Sequence, residues 1–249
     1  MRPLLAIFVL CAGCARWLPA PEPMRAFDHD RAGPRAACLL VLLPGGGDSA
    51  KTFERQGVVD AIQRRGYSID VVAVDATLGY YARGVFSERL AEDVVRRRAA
   101  RGYKQVWLLG NSLGGFGSLL YARQRPAGEV SGLFALSPYL GSDRELLQRI
   151  RAQGLARWEA PPKAATLNED NFVPELWRWL QAVTIQREPG PDLYVGYGLD
   201  EQLAIPDSLL AAALPQDHVY TTPGAHNWQT WNRLIDRFLD RGPLAARCR

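Results

Sequence analysis

The residues Gly110-Asn111-Ser112-Leu113-Gly114, followed by Gly115, have the make-up of a nucleophile turn. They come after the apolar run Val106-Trp107-Leu108-Leu109 and open a stretch in which Phe116, Leu119 and Leu120 recur at helical spacing. A serine between a strand and a helix sits on a sharp, strained bend. Side chains two positions to either side would collide with neighbouring backbone, so glycine stands there. The same bend aims backbone N–H groups at a carbonyl oxygen that becomes an anion. The implied chemistry is attack by Ser112 on a carbonyl, for which the hydroxyl needs a base.

After such a turn the partners follow in the order acid, then histidine, each behind a later strand. The chain has three histidines, and only His218 and His226 lie downstream. His218 begins an apolar strand and is expected to be structural. His226 stands in Thr221-Thr222-Pro223-Gly224-Ala225-His226-Asn227-Trp228, a turn-rich loop behind that strand, and is the expected base. Leu193-Tyr194-Val195-Gly196-Tyr197-Gly198-Leu199-Asp200-Glu201 reads as strand, glycine turn, carboxylates. Asp200 is the expected acid, holding His226 in one tautomer and stabilising its imidazolium. Glu201 is the longer rival, and a helix cap before Gln202-Leu203 is the structural alternative for Asp200. Leu42-Leu43-Pro44-Gly45-Gly46-Gly47-Asp48 is a glycine-rich turn behind an earlier strand. From its place, Gly46 and Gly47 are candidates for one donor to the oxyanion, with the N–H of Leu113 as the other.

These residues need a scaffold of strands that stop at one edge. Apolar runs at 38–43, 69–74, 105–109, 132–136, 193–197 and 218–221 alternate with helical patterns at 53–65, 87–101, 113–124, 144–151, 206–213 and 228–239. Several runs are apolar almost throughout, as strands buried on both faces are. The expected fold is α/β, a mostly parallel sheet with helices on both faces. A small helical insertion is expected around 142–191, where no strand pattern occurs and Pro161-Pro162 interrupts the chain. With 249 residues, 47% hydrophobic and 22% charged, the chain suits one packed domain, assigned to 31–249.

The net charge of +4 comes mainly from arginines spread along the chain, since the only lysines are Lys51, Lys104 and Lys163. The run Arg96-Arg97-Arg98 has no interleaved aromatic residue and reads as a solvated helix face, so no nucleic-acid partner is expected. At the N-terminus, Arg2 precedes the apolar run from Leu4 to Leu10, then Cys11-Ala12-Gly13-Cys14. That is the layout of an export signal over 1–13, too short for a permanent membrane span. Ala12-Gly13-Cys14 resembles the end of a bacterial lipoprotein signal, with Cys11 where an aliphatic residue is usual. The expectation is a lipid anchor on Cys14 and a proline-rich tether over 14–30, on an exported protein that is periplasmic or held at the outer membrane. Cys38 and Cys248 then remain as a candidate disulfide in an oxidising compartment.

The elbow 110–115, the segment Phe134-Ala135-Leu136-Ser137-Pro138 and the ending Pro223-Gly224-Ala225-His226-Asn227-Trp228-Gln229-Thr230-Trp231 resemble the esterase D-type branch of the α/β hydrolases. That branch also holds bacterial mycolyltransferases and ferulic-acid esterases. The resemblance runs from about Cys38 to Leu239, and its His-x-Trp-x-x-Trp ending is its most specific part. It implies hydrolysis or transfer of the acyl group of a small-molecule ester, without cofactor or metal. Pro44 departs from the pattern, and the short N-terminal half implies that early edge strands are absent. Two rival readings remain. Gly45-Gly46-Gly47-Asp48-Ser49-Ala50-Lys51-Thr52 matches a phosphate-binding P-loop at all but one required position, Ala50. A hydrolase fold that only binds ligand is the other.

Overall fold

The computed structural model describes residues 18–33, 35–168 and 171–249; the signal-like segment and Cys14 lie outside the described residues. Seven strands, β1 (Ala26–His29), β2 (Cys38–Leu43), β3 (Ile69–Val74), β4 (Gln105–Asn111), β5 (Gly132–Leu136), β6 (Asp192–Gly198) and β7 (Val219–Thr222), form one sheet in the order β1-β3-β2-β4-β5-β6-β7. All neighbours are parallel except β1, which runs antiparallel to β3 with Ala26 opposite Val74. Parallel strands need crossovers, and the helices that make them cover both faces.

Side-chain alternation sorts the core into two layers. Cys38, Leu40 and Leu42 of β2 face one layer with Trp107 and Phe134, while Leu39, Val41 and Leu43 face the other with Leu108 and Leu133. The first layer is closed by α1 (Ala50–Arg55), α2 (Val58–Arg64), α10 (Trp228–Arg241) and α11 (Leu244–Arg247). In α10, Trp231, Leu234, Ile235, Phe238 and Leu239 are buried, a stripe at spacings of three and four along one face. The second layer is closed by α3 (Leu78–Ala82), α4 (Phe86–Leu90), α6 (Leu113–Gln124), α7 (Arg144–Gln153), α8 (Phe172–Thr184) and α9 (Ala204–Ala211). A π-helical turn at Ala91–Val95 carries α4 on into α5 (Arg96–Ala99).

Two expectations are revised. The tether assigned to 14–30 is, from Leu18 onward, part of the fold. Thr77 Oγ1 donates to Pro19 O, Arg83 Nη2 to Leu18 O over 2.8 Å, and the Tyr80 hydroxyl to Pro21 O. Gly79 permits this close approach, because a Cβ there would lie 2.3 Å from Pro19 O. An early edge strand is therefore present, as β1, where the short N-terminal half implied none. The insertion at 142–191 supplies α7 and α8, and its Trp158, Trp177 and Trp179 are buried core residues. Trp177 Nε1 donates to Leu140 O over 2.9 Å, satisfying its one polar group.

The P-loop reading fails on geometry. The Asp75 carboxylate accepts the Ala50 N–H at 2.8 Å, so a carboxylate already occupies the helix start that a phosphate would need. Lys51 is exposed and lies 5.9 Å from the Phe27 ring centroid. At the far edge of the sheet, Cys38 and Cys248 are joined by a disulfide and fully buried.

Candidate active site

Ser112 stands between β4 and α6 with φ 55° and ψ −114°, a conformation that L-residues rarely hold. The turn is held by Ser112 N–H donating to Leu136 O over 2.8 Å and by Phe116 N–H donating to Ser112 O over 3.0 Å. The motif glycines are required by crowding. A Cβ on Gly110 would lie 2.2 Å from Gly114 O, and one on Gly114 would lie 2.0 Å from Leu43 O. The elbow thus packs directly against the end of β2.

His226 and the carboxylate come from the loops behind β7 and β6, so all three side chains meet at the C-terminal edge of the sheet. His226 Nδ1–H donates to Glu201 Oε2 over 2.9 Å, which leaves the Nε2 lone pair to accept the Ser112 hydroxyl at 3.0 Å. The Glu201 side chain has no exposed surface, while that of His226 is 31% exposed, so the imidazole is reachable from outside.

The structure corrects the expected acid. Asp200 is exposed and does not reach His226; its Oδ2 accepts the Gly224 N–H at 2.9 Å, and its own N–H donates to Gly224 O over 3.1 Å. The turn after Gly198 directs Asp200 outward and the next residue inward, where the extra methylene of Glu201 spans the gap to the imidazole. Asp200 instead clamps the acid loop to the histidine loop. His218, as expected, is structural: its Nδ1 pairs with Leu193 O at 2.9 Å and its ring stacks on Tyr194 at 4.1 Å.

Leu113 is the first residue of α6, so its N–H belongs to the helix start beside Ser112. The glycine turn closes with Asp48 N–H donating to Gly45 O over 3.1 Å, leaving Gly46 and Gly47 exposed. Gly47 needs its φ of +86° for that turn. Gly45 makes the closest approach, since a Cβ there would lie 3.4 Å from Ser112 Cβ.

Several residues that hold this arrangement carry no catalytic signature of their own. The Trp231 ring meets the His226 ring edge-on at 4.9 Å, and its Nε1 donates to Ser137 Oγ over 2.9 Å. Trp228 Nε1 donates to Asp48 Oδ2 over 3.0 Å, tying the histidine loop to the glycine turn. Asn227 caps α10 by accepting the Thr230 N–H at 3.1 Å, which fixes the residue after His226. The only sequence signal for this support was the spacing His-x-Trp-x-x-Trp. Beside Leu113 a cleft of about 500 Å³ opens, walled by Tyr81, Phe116, Leu120, Tyr139 and Phe172. Burial pushes the Tyr81 phenol well above its ordinary value, so that hydroxyl stays neutral.

A profile described as the alpha/beta hydrolase family matches residues 40–246, and the chain belongs to that family. No curated protein sequence matches the chain. Solved structures share the fold at low identity. An S-formylglutathione hydrolase from Staphylococcus aureus aligns at 13% identity and TM-score 0.54, over 90% of this chain and 98% of that one. Carboxyl esterase 2 from the mycorrhizal fungus Tuber melanosporum aligns at 14% and 0.60, over 91% of this chain and 82% of that one. An esterase from Pyrobaculum calidifontis aligns at 17% and 0.54, over 90% and 79%.

Proposed function

We propose that this chain is a serine esterase that works through an acyl-enzyme on Ser112. The observation that carries this reading is the continuous hydrogen-bonded line from Ser112 Oγ through His226 to Glu201. In it, His226 Nε2 takes the hydroxyl proton as Oγ attacks the ester carbonyl. Glu201 keeps the proton on Nδ1 and stabilises the imidazolium. The oxyanion receives the Leu113 N–H and an N–H of the turn holding Gly46 and Gly47, each such donor being worth about 3 kcal/mol of barrier. His226 then protonates the departing alcohol. Water, or a second alcohol in a transferase, attacks the acyl-enzyme by the same steps in reverse. The apolar cleft beside Leu113 accepts one side chain of a small-molecule ester.

The esterase D-type resemblance and the esterases among the structural relatives favour this reading over a ligand-binding role. The test is release of p-nitrophenol from esters of graded acyl length. Wild type is expected to turn over, and Ser112→Ala to lose at least about 10³-fold in kcat. Equal rates from both proteins would remove Ser112 as nucleophile, and no turnover by wild type would favour the binding role.

Export through the signal-like segment, with a lipid on Cys14, belongs to the same proposal. The buried Cys38–Cys248 disulfide supports it, because such bonds persist in oxidising compartments. Mass spectrometry of the native mature protein is expected to find an N-terminal, acylated Cys14; a chain still starting at Met1 would defeat it.

A further inference from the structure

Asp207 places a second carboxyl group behind the acid of the triad, where the mechanism above has no use for it. It lies in the first turn of α9 and is 0% exposed. No N–H or hydroxyl of the described residues donates to either of its oxygens, and the same is true of Glu201 Oε1, the oxygen that His226 leaves free. The two carboxyl groups are within hydrogen-bond reach of each other. Both backbone segments are fixed, since Asp207 N–H donates to Leu203 O over 3.1 Å and Ala204 N–H to Glu201 O over 3.3 Å. Two ionised carboxylates in contact inside a protein repel strongly and leave lone pairs without donors, but a single proton between them removes both costs.

We propose that Asp207 is held as the neutral acid and donates its proton in a hydrogen bond to Glu201 Oε1, making it a positioning residue for the triad. The proposal rests on the serine-esterase reading of Ser112, His226 and Glu201. The groups around the pair agree with a single shared negative charge. On β6, Tyr197 is raised by its own burial first and then by the negative charge of the carboxyl pair. His226 approaches Glu201 from the loop behind β7. On α7, Arg144 and Arg151 line an outer cleft with Gln202 and Ile205, and the charge acting on Asp207 is that of Glu201. Burial first, and that neighbouring charge second, hold the Asp207 carboxyl well above the usual carboxylate range.

The consequence for catalysis is twofold. A neutral donor on Oε1 locks the Glu201 rotamer with Oε2 toward Nδ1. It also weakens Glu201 as a base, so the imidazole keeps its Nδ1 proton in the ground state. The pair presents one negative charge to one imidazolium, with no surplus charge left buried.

Asp207→Asn keeps a donor at this position through its amide, whereas Asp207→Ala removes it. In p-nitrophenyl ester hydrolysis the Asn variant is expected to stay within about threefold of wild-type kcat. The Ala variant is expected to lose at least about tenfold in kcat with KM within about twofold, as for an interaction made in the transition state. Native protein binds the Asp207 proton more tightly than the unfolded chain does, so wild-type stability falls as pH rises above the unfolded carboxyl range. The Asn variant lacks that term, and its Tm is expected to gain on wild type as pH rises. Infrared difference spectra at neutral pH are expected to show a protonated-carboxyl carbonyl band in wild type and in Ser112→Ala, and none in Asp207→Asn. The Ser112→Ala arm reads the proton whether or not the protein is an esterase. Absence of the band, an Asn variant as slow as the Ala variant, or a folded Ala variant with wild-type kcat would each overturn the proposal. Should Asp207→Ala fail to fold, the infrared band and the Asn variant decide.

Discussion

At the level of single residues, the meeting of Ser112 and His226 was legible in the sequence and the carboxylate that joins them was not. Ser112 carries a local signature, because only glycine tolerates 2.2 Å and 2.0 Å approaches at its flanks and the pattern is therefore written into the chain. His226 follows from order and position. Asp200 and Glu201 are adjacent in a turn, where no periodicity says which side chain faces inward. The choice is made by Gly224, whose N–H captures the Asp200 carboxylate at 2.9 Å, a contact 24 residues away in the chain. The rates of two variants test the correction. Glu201→Gln is expected to lower kcat by about 10³–10⁴-fold, because an amide favours the wrong imidazole tautomer. Asp200→Asn is expected to stay within about threefold, since its amide oxygen still accepts the Gly224 N–H. The reverse ranking would return the role to Asp200.

At the level of elements, buried parallel strands announced themselves. The stretches 132–136 and 113–124 match β5 and α6 residue for residue, because an unbroken apolar run or a helical repeat sets their limits. The segments that escaped notice draw their stability from tertiary contacts. β1 is four residues long, half-exposed at an edge, and its Ala26-Phe27-Asp28-His29 shows neither an apolar run nor an alternation that would register. α3 has five residues and is defined largely by the Leu18–Pro21 strap lying across Gly79. α8 opens with Phe172-Val173-Pro174, and proline reads as a breaker unless its place in the first turn, where no intrahelical donor is needed, is known in advance. The same helix delivers Phe172 to the cleft wall.

For the whole molecule, the Cys38–Cys248 bond closes the chain over a separation of 210 residues and pins the C-terminal tail to the start of β2. In the chain-entropy view so long a loop is worth about 5 kcal/mol, with measured losses for native bridges more often about 2–5 kcal/mol. Cys248→Ser is therefore expected to lower the unfolding free energy by an amount in that range, read from denaturant midpoints with and without reductant. Turnover per folded molecule is expected to change little, because the bond lies at the opposite end of the strands from Ser112. A large fall in kcat at unchanged stability would contradict that separation.

The strap at Leu18–Pro21 gives the molecule a front and a back. The chain enters the fold hydrogen-bonded to Arg83, on the rim of the 500 Å³ cleft, and ends at Arg249 beside the disulfide. A protein grafted to a support through the residues before Leu18 would turn its cleft toward that support, and one grafted through Arg249 would turn it to the solution. The reach between Cys14 and Leu18 is four residues, about 14 Å at full extension. An acyl chain on Cys14 would thus leave little slack between the anchor and the rim of the cleft.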